Sequence, residues 1–222
     1  GIPGDVEKVV MVQCAGSRDA QRPYCSEVCC SQALKNAIHV KTRHPDVEVY
    51  ILHRDIRVPG PSEVYYEKAR ELGVTFIRHP EAVAPRVVRL GPADRRAVVE
   101  VCDEVLGELL RIPADLVVAS TGVEGAADSK LAHDLGVAID AHGFYVEANP
   151  KVQPTDFSVP GVYVCGLARA PRTASDALVS SEAAAARAAA RLLRGVEHAA
   201  TNPSRVRTRI CVGCGLCVDV CP

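Results

Sequence analysis

Eight of the ten cysteines fall in two groups whose spacing could do chemistry. The later group, Cys211, Cys214, Cys217 and Cys221 followed by Pro222, has the form C-x2-C-x2-C-x3-C-P, the bacterial ferredoxin spacing for 4Fe-4S ligation. Three thiolates two residues apart can wrap one face of a cubane, and the intervening glycines let the backbone approach the sulfides. Pro222 turns the chain away after the fourth ligand. Zinc or unmetallated thiols are the alternatives. In two-cluster ferredoxins the fourth cysteine of such a run serves the other cluster. This chain has no second run to complete either site, so the cluster reads as incomplete. The chain also opens at Gly1 rather than at a methionine, so the ends are expected to be truncations and the chain a fragment.

The earlier group, Cys14, Cys25, Cys29 and Cys30, offers four thiolates, one expected at a strand end and three around the start of a helix. A helix N-terminus favours anionic thiolates and the negative cluster they build. Spacing alone leaves three readings open: an iron-sulfur cluster, zinc, or a redox dithiol or buried structural thiols. Cys102 and Cys165 stand alone among valines and are expected to be buried structural thiols.

The elements that must position these groups follow from local pattern. Val6 to Cys14 is a β-branched run that delivers Cys14 at its C-terminal end, where α/β sheets bind ligands. A helix is expected from about Ser26 to Thr42, a strand over Val47 to Leu52, a helix over Ser62 to Glu71 stopped by Gly73, and a strand over Val74 to Ile77. That βαβ rhythm implies a parallel sheet. Runs 97–105 and 108–112 flank Gly107 as a hairpin, and Ala114 to Ser120 is an apolar strand ending in Thr121-Gly122. Further strands are expected over Gly143 to Glu147 and Gly161 to Cys165, the latter closed by Gly166. A long alanine-driven helix over Ser175 to Leu193 follows. The division implied is an α/β domain over 1–195, a linker over 196–208 and a truncated ferredoxin-type domain over 209–222.

Composition narrows the class. The chain has 222 residues, 48% of them apolar, which at roughly 100–200 residues per domain allows one full domain and an appendage. A net charge of −1 supplies no field for nucleic acid or an anionic membrane, and no apolar run approaches the length of a membrane span. Clustered rather than dispersed cysteines point to metal chemistry and a reducing, cytoplasmic compartment.

The segments QCAGSRDAQRPYCSEVCCSQALKNA, YILHRDIRVPG, ADLVVASTG, GFYVEANPKVQP and GVYVCGLARAP, in order and ending in the ferredoxin run, resemble the heterodisulfide reductase A-subunit family. The resemblance implies a thioredoxin-reductase-like core of the two-dinucleotide-binding, Rossmann-like α/β type, followed by the start of a 4Fe-4S ferredoxin domain. It implies FAD and several 4Fe-4S clusters, one of them held by Cys14, Cys25, Cys29 and Cys30. It further implies electron transfer between flavin and clusters, with flavin-based bifurcation permitted, alongside other subunits of such a complex and donors of the hydrogenase or formate dehydrogenase type.

In such flavoproteins a strand ending in Thr-Gly and a later strand ending in Gly before a long helix pack beside the FAD. Thr121 and Gly122, then Gly166 and Leu167, match these features, with Pro171, Arg172 and Ser175 leading into the helix. Donors at that helix N-terminus would stabilise a reduced, anionic isoalloxazine. Lys35 is a candidate for tuning the flavin by its charge. The family tends to carry Pro-Lys-Asp where this chain has Pro171-Arg172-Thr173, so the carboxylate is lost. No Gly-x-Gly-x-x-Gly follows any strand, so the pyrophosphate-binding turn of the FAD domain lies upstream of Gly1 or is absent. His53, Arg54, Asp55 and Arg57 fit the family's Asp-Ile-Arg segment and read as either a solvated charge cluster or a redox or docking feature. Two other functions stay open: a non-enzymatic iron-sulfur scaffold, and a dithiol oxidoreductase using Cys25, Cys29 and Cys30.

Overall fold

The computed structural model describes residues 3, 5–58, 60–89, 96–195 and 206–220. Its centre is β1 (Lys8–Val12), a strand whose last four residues are all buried. Such a continuous apolar run is what a strand covered on both faces requires. β1 pairs in parallel with β2 (Glu48–His53) on one side and with β7 (Leu116–Ala119) on the other. β3 (Thr75–Arg78) extends the parallel sheet beyond β2, giving the order β3-β2-β1-β7.

One face of this sheet is covered by α1 (Cys29–Arg43) and α2 (Glu63–Glu71). Leu34, Ala37 and Ala69 pack there on Val9, Met11, Val49 and Ile51. The other face is covered by a three-stranded antiparallel sheet in the order β4-β5-β6, comprising β4 (Arg86–Arg89), β5 (Ala97–Cys102) and β6 (Leu109–Ala114). Val99, Val101 and Ile112 from that sheet bury Val10, Val12 and Leu52. Three layers result, and the alternation of Val9 and Met11 against Val10 and Val12 divides β1 between the two cores.

Beyond β7 the chain has little regular structure until α4 (Ala174–Arg194), apart from α3 (Ser129–Leu135), which Asp128 caps and Gly136 ends. Two ion pairs hold this region together. The Arg187 guanidinium of α4 donates to both carboxylate oxygens of Asp156, and Arg169 pairs with Glu147 at 2.5 Å. A five-residue helix, α5 (Leu216–Val220), lies in the last described segment.

Several expectations need correction. Residues 143–147 and 161–165 are not strands: Tyr145 and Tyr163 each make one isolated bridge, to Ile139 and Asp156. A strand needs a continuous partner, and here the Val164 amide reaches Thr155 beside the single Tyr163 bridge while the Val162 amide turns back to Val159. Cys165 therefore lies outside any strand, and both it and Cys102 are half-buried rather than buried. Most of the expected linker, residues 196–205, lies outside the described residues, as does Cys221.

Candidate functional site

The parallel sheet changes direction at β1, since the chain runs from β1 through α1 to β2 on one side and reaches β7 on the other. The carboxyl end of such a switch point is where open α/β sheets bind ligands. Cys14 stands there, two residues past Val12, with a positive φ of 56°. The Gln13 amide donates to the Leu52 carbonyl and the Ala15 amide to the Ser120 carbonyl, so the neighbouring strands fix the backbone on either side of Cys14.

The loop from Cys14 to α1 is held against the segment after β7 by small residues. A side chain at Gly16 would place its Cβ 2.4 Å from the Thr121 carbonyl oxygen, and one at Gly122 would come within 2.7 Å of the Ser26 hydroxyl. Ser17 and Ser26 are buried there, and the Ser26 hydroxyl accepts from the Val123 amide at 2.9 Å. Tyr24 completes the clamp. Its hydroxyl donates to the Val123 carbonyl, and its ring lies 5.1 Å from His142 and 5.5 Å from Phe144. Arg22 pairs with Glu124 beside it.

These restraints bring Cys14, Cys25, Cys29 and Cys30 into one locus, close enough for Cys29 and Cys30 to feel the charge of the others. A backbone N–H meets one of the sulfurs: the Glu27 amide donates to Cys25 Sγ at 3.3 Å. Cys29 and Cys30 begin α1, whose N-cap residue, Val28, makes no side-chain cap. Burial pushes both thiols up, and their neighbours push the same way. A thiol held up like this is a weak nucleophile when free.

Among the described residues no three His, Cys, Asp or Glu side chains are closed to the separation that holds a metal ion. The donor set nonetheless suits an iron-sulfur group. Four thiols stand at the end of β1 and around the start of α1, an amide donates to one of them, and thiolates are the ligands such clusters use.

A cleft of about 850 Å³ opens beside this locus. Cys25, Glu27, His53, Arg57 and Tyr66 line it, together with Thr173 and Asp176 from the start of α4. Thr173 caps α4, accepting from the Asp176 amide at 3.2 Å. His53 is nearly buried and has no partner for Nδ1, and burial holds its pKa below the ordinary value. The cleft's arginines are already paired, Arg54 with Glu81, Arg57 with Asp55 and Arg78 with Glu104, so it does not act as an anion trap.

The sequence-derived flavin residues divide between these two places. Thr121 and Gly122 adjoin the cysteine loop. Gly166 and Leu167 form a single turn, with the Gly166 amide donating to Ser180 of α4, and Pro171 is buried just before that helix. The Arg172 Nε is buried without a hydrogen-bond partner. Ser175 bonds to the Thr173 hydroxyl at 2.8 Å. Lys35 is exposed on α1 and does not line the cleft. Cys211, Cys214 and Cys217 are exposed. Gly16, Tyr24 and Ser26 were missed in sequence. The small residues flanking Cys14 and Cys25 were the available signal for close packing.

No protein-family model matches the chain. It is 38% identical over 220 residues to the CoB-CoM heterodisulfide reductase iron-sulfur A-subunit of Methanocaldococcus jannaschii, covering 97% of this chain and 33% of that protein. Identity is also 38%, over 221 residues, to the A-subunit of the H(2)/formate:CoB-CoM heterodisulfide,ferredoxin reductase of Methanococcus maripaludis, with the same coverages. It is 35% over 218 residues to a protein of Archaeoglobus profundus described as like the heterodisulfide reductase A-subunit, covering 97% and 30%. The chain thus spans about a third of the length of these relatives.

Among solved structures, the thioredoxin reductase of T. acidophilum superposes with a TM-score of 0.53 at 19% identity, covering 84% of this chain and 53% of that one. The thioredoxin reductase of Lactococcus lactis gives 0.52 at 17% identity, with the same coverages. Both show the fold: a thioredoxin-reductase-like, Rossmann-type α/β architecture, as the sequence led us to expect.

Proposed function

This chain belongs to the heterodisulfide reductase A-subunit family along 97% of its length, and from that premise we propose that it is a segment of a flavin- and iron-sulfur-dependent electron-transfer oxidoreductase. Cys14, Cys25, Cys29 and Cys30 hold a 4Fe-4S cluster, and the start of α4 faces an FAD. When bound, the flavin exchanges electrons in pairs and the cluster carries them singly, which is the chemistry that electron bifurcation uses. The observation that supports this reading is the cleft lined by both Cys25, whose sulfur accepts from the Glu27 amide, and the α4 residues Thr173 and Asp176.

The chain's own residues have defined parts in this proposal. Gly16 and Gly122 let two backbone segments approach, and Tyr24 anchors the loop that carries Cys25. Val28 leaves the first amides of α1 free of side-chain caps. The Thr173 cap fixes the α4 terminus at the cleft, where its positive end favours negative charge on a bound ring. Residues 196–208 connect this domain to a ferredoxin-type segment over 209–222, in which Cys211, Cys214, Cys217 and Cys221 supply ligands to a second cluster that this chain alone leaves incomplete. In the cytoplasm the segment works with other subunits of a heterodisulfide-reductase-like complex and with donors of the hydrogenase or formate dehydrogenase type. Among the described residues no helix is long and apolar enough to cross a membrane.

The proposal is tested by reconstituting the chain anaerobically with iron and sulfide, adding FAD, and following flavin absorbance and cluster EPR during titration with dithionite. Bound FAD and a cluster signal lost on substituting Cys25→Ser would support it. A reconstituted chain that binds neither group would refute it.

A further inference from the structure

β7 is an outer strand of the parallel sheet, and among the described residues no strand pairs with its free edge. The opposite edge is closed at its end, where the Glu104 amide donates to the Arg78 carbonyl of β3 and the two side chains pair. Sheet edges that stay unpaired are commonly protected by charge or proline. Leu116–Ala119 reads LVVA and carries neither.

A groove of about 290 Å³ lies beside this edge on the α1 face of the sheet. Its floor is Leu116 and Val118 of β7 with Val9 and Met11 of β1. Its far wall is α1, which contributes His39, Arg43 and, just past the helix, His44. His39 and Arg43 are exposed, no carboxylate lines the groove, and among the described residues neither side chain is ion-paired. Val117, between Leu116 and Val118, lines a second cleft of about 350 Å³. There Arg89 is exposed, and the Asp115 carboxylate is taken up by Arg96 and by the Glu7 and Lys8 amides.

We propose that the free edge of β7 is a docking site for an extended acidic segment of a partner subunit, which joins the sheet as a fifth strand. Side chains of a strand alternate between the two faces of a sheet. One set of the added strand's side chains therefore enters the apolar groove beside α1, and the other lies toward Val117. Main-chain hydrogen bonds to β7 supply affinity, and the two clefts supply specificity. Cations flank the edge on both faces, His39 and Arg43 on one and Arg89 on the other, which selects an acidic segment over a basic one. Neither the cluster nor the flavin takes part, so docking stands or falls independently of the function proposed above.

The test is hydrogen-deuterium exchange at the backbone amides of residues 116–119, in the chain alone and with a short synthetic peptide of alternating valine and glutamate. The peptide should slow exchange at 116–119. Replacing its glutamates by lysine, or methylating its alternate backbone nitrogens, should remove the effect. Arg43→Glu should weaken the peptide roughly twofold to tenfold, and added salt should weaken it as well. Lys68→Glu, the same reversal in the last turn of α2, should leave binding in place. Should Arg43→Glu fail to fold, Arg43→Gln decides. A peptide that leaves exchange at 116–119 unchanged, or a lysine peptide that acts as well, overturns the assignment. So does an edge already slow to exchange without peptide: at every protein concentration the chain's own residues cover it, and only at rising concentration a second copy does.

Discussion

At the residue scale, the four cysteines can share one locus only because two neighbours lack side chains. The Gly16 Cβ position meets a backbone carbonyl that cannot swing aside, and Gly122 combines a φ of +89° with contacts to Ser26 and Ser17. Gly60 has a φ of +65° and open space around it, which makes it the control. Gly60→Ala should cost only the left-handed penalty of about 1–2 kcal/mol. Gly122→Ala adds to that penalty a clash of the kind that costs ~1–3 kcal/mol on overpacking, whereas Gly16→Ala carries the clash alone. The urea unfolding midpoint of Gly122→Ala should fall below that of Gly60→Ala. His53 gives a second check. Burial, then the charges of His79 and Arg78, hold its folded pKa below the ordinary value. The unfolded chain therefore takes up its proton first, near pH ~6.5, and stability contributed by neutral His53 is lost as pH falls from there toward the folded pKa. The unfolding midpoint should drop between pH 7.5 and 5.5, and His53→Gln should drop less. The cysteines were legible in the sequence because thiol spacing is itself the chemical signal. Arg57 was legible only as one of several charges, since its pairing with Asp55 and its place in the cleft depend on where the end of β2 lies.

At the element scale, α4 forms one wall of the proposed flavin site, and its start depends on one cap. Thr173→Ala removes the acceptor for the Asp176 amide and should cost about 1 kcal/mol, with a matching loss of α4 helicity by circular dichroism and weaker FAD retention. Thr173→Ser should retain the cap. The strands β1, β2, β3 and β7 and the helices α1, α2 and α4 were legible because each is long or strongly apolar enough to announce its period. The hairpin of β5 and β6 was legible from the β-rich runs on either side of Gly107. β4 was not: Arg86–Arg89 is short, fully exposed and charged at both ends, and pairing with β5 makes it a strand. The runs 143–147 and 161–165 erred the other way. Their β-branched and aromatic residues describe a surface fit for a sheet, but strand formation also needs a neighbour, and each finds only one bridge. α3 was overlooked although Asp128 and Gly136 mark its two ends.

At the scale of the whole molecule, the two halves differ in how they are covered. The parallel sheet is buried on both faces, whereas α4 leaves Leu178, Val179, Leu192 and Leu193 largely exposed and buries only Ala184. The half that carries the cysteine locus therefore has its own core, and a 4Fe-4S cluster at Cys14, Cys25, Cys29 and Cys30 can be sought in this chain directly. The most direct test counts atoms. Iron, acid-labile sulfide and zinc should be measured per polypeptide after anaerobic reconstitution, in wild type, in a Cys29→Ser, Cys30→Ser variant and in a Cys211→Ser, Cys214→Ser variant. We predict about four iron and four sulfide that persist when the C-terminal pair is replaced and vanish when Cys29 and Cys30 are replaced. Zinc in place of iron, or iron that survives the loss of Cys29 and Cys30, would contradict a cluster at this site.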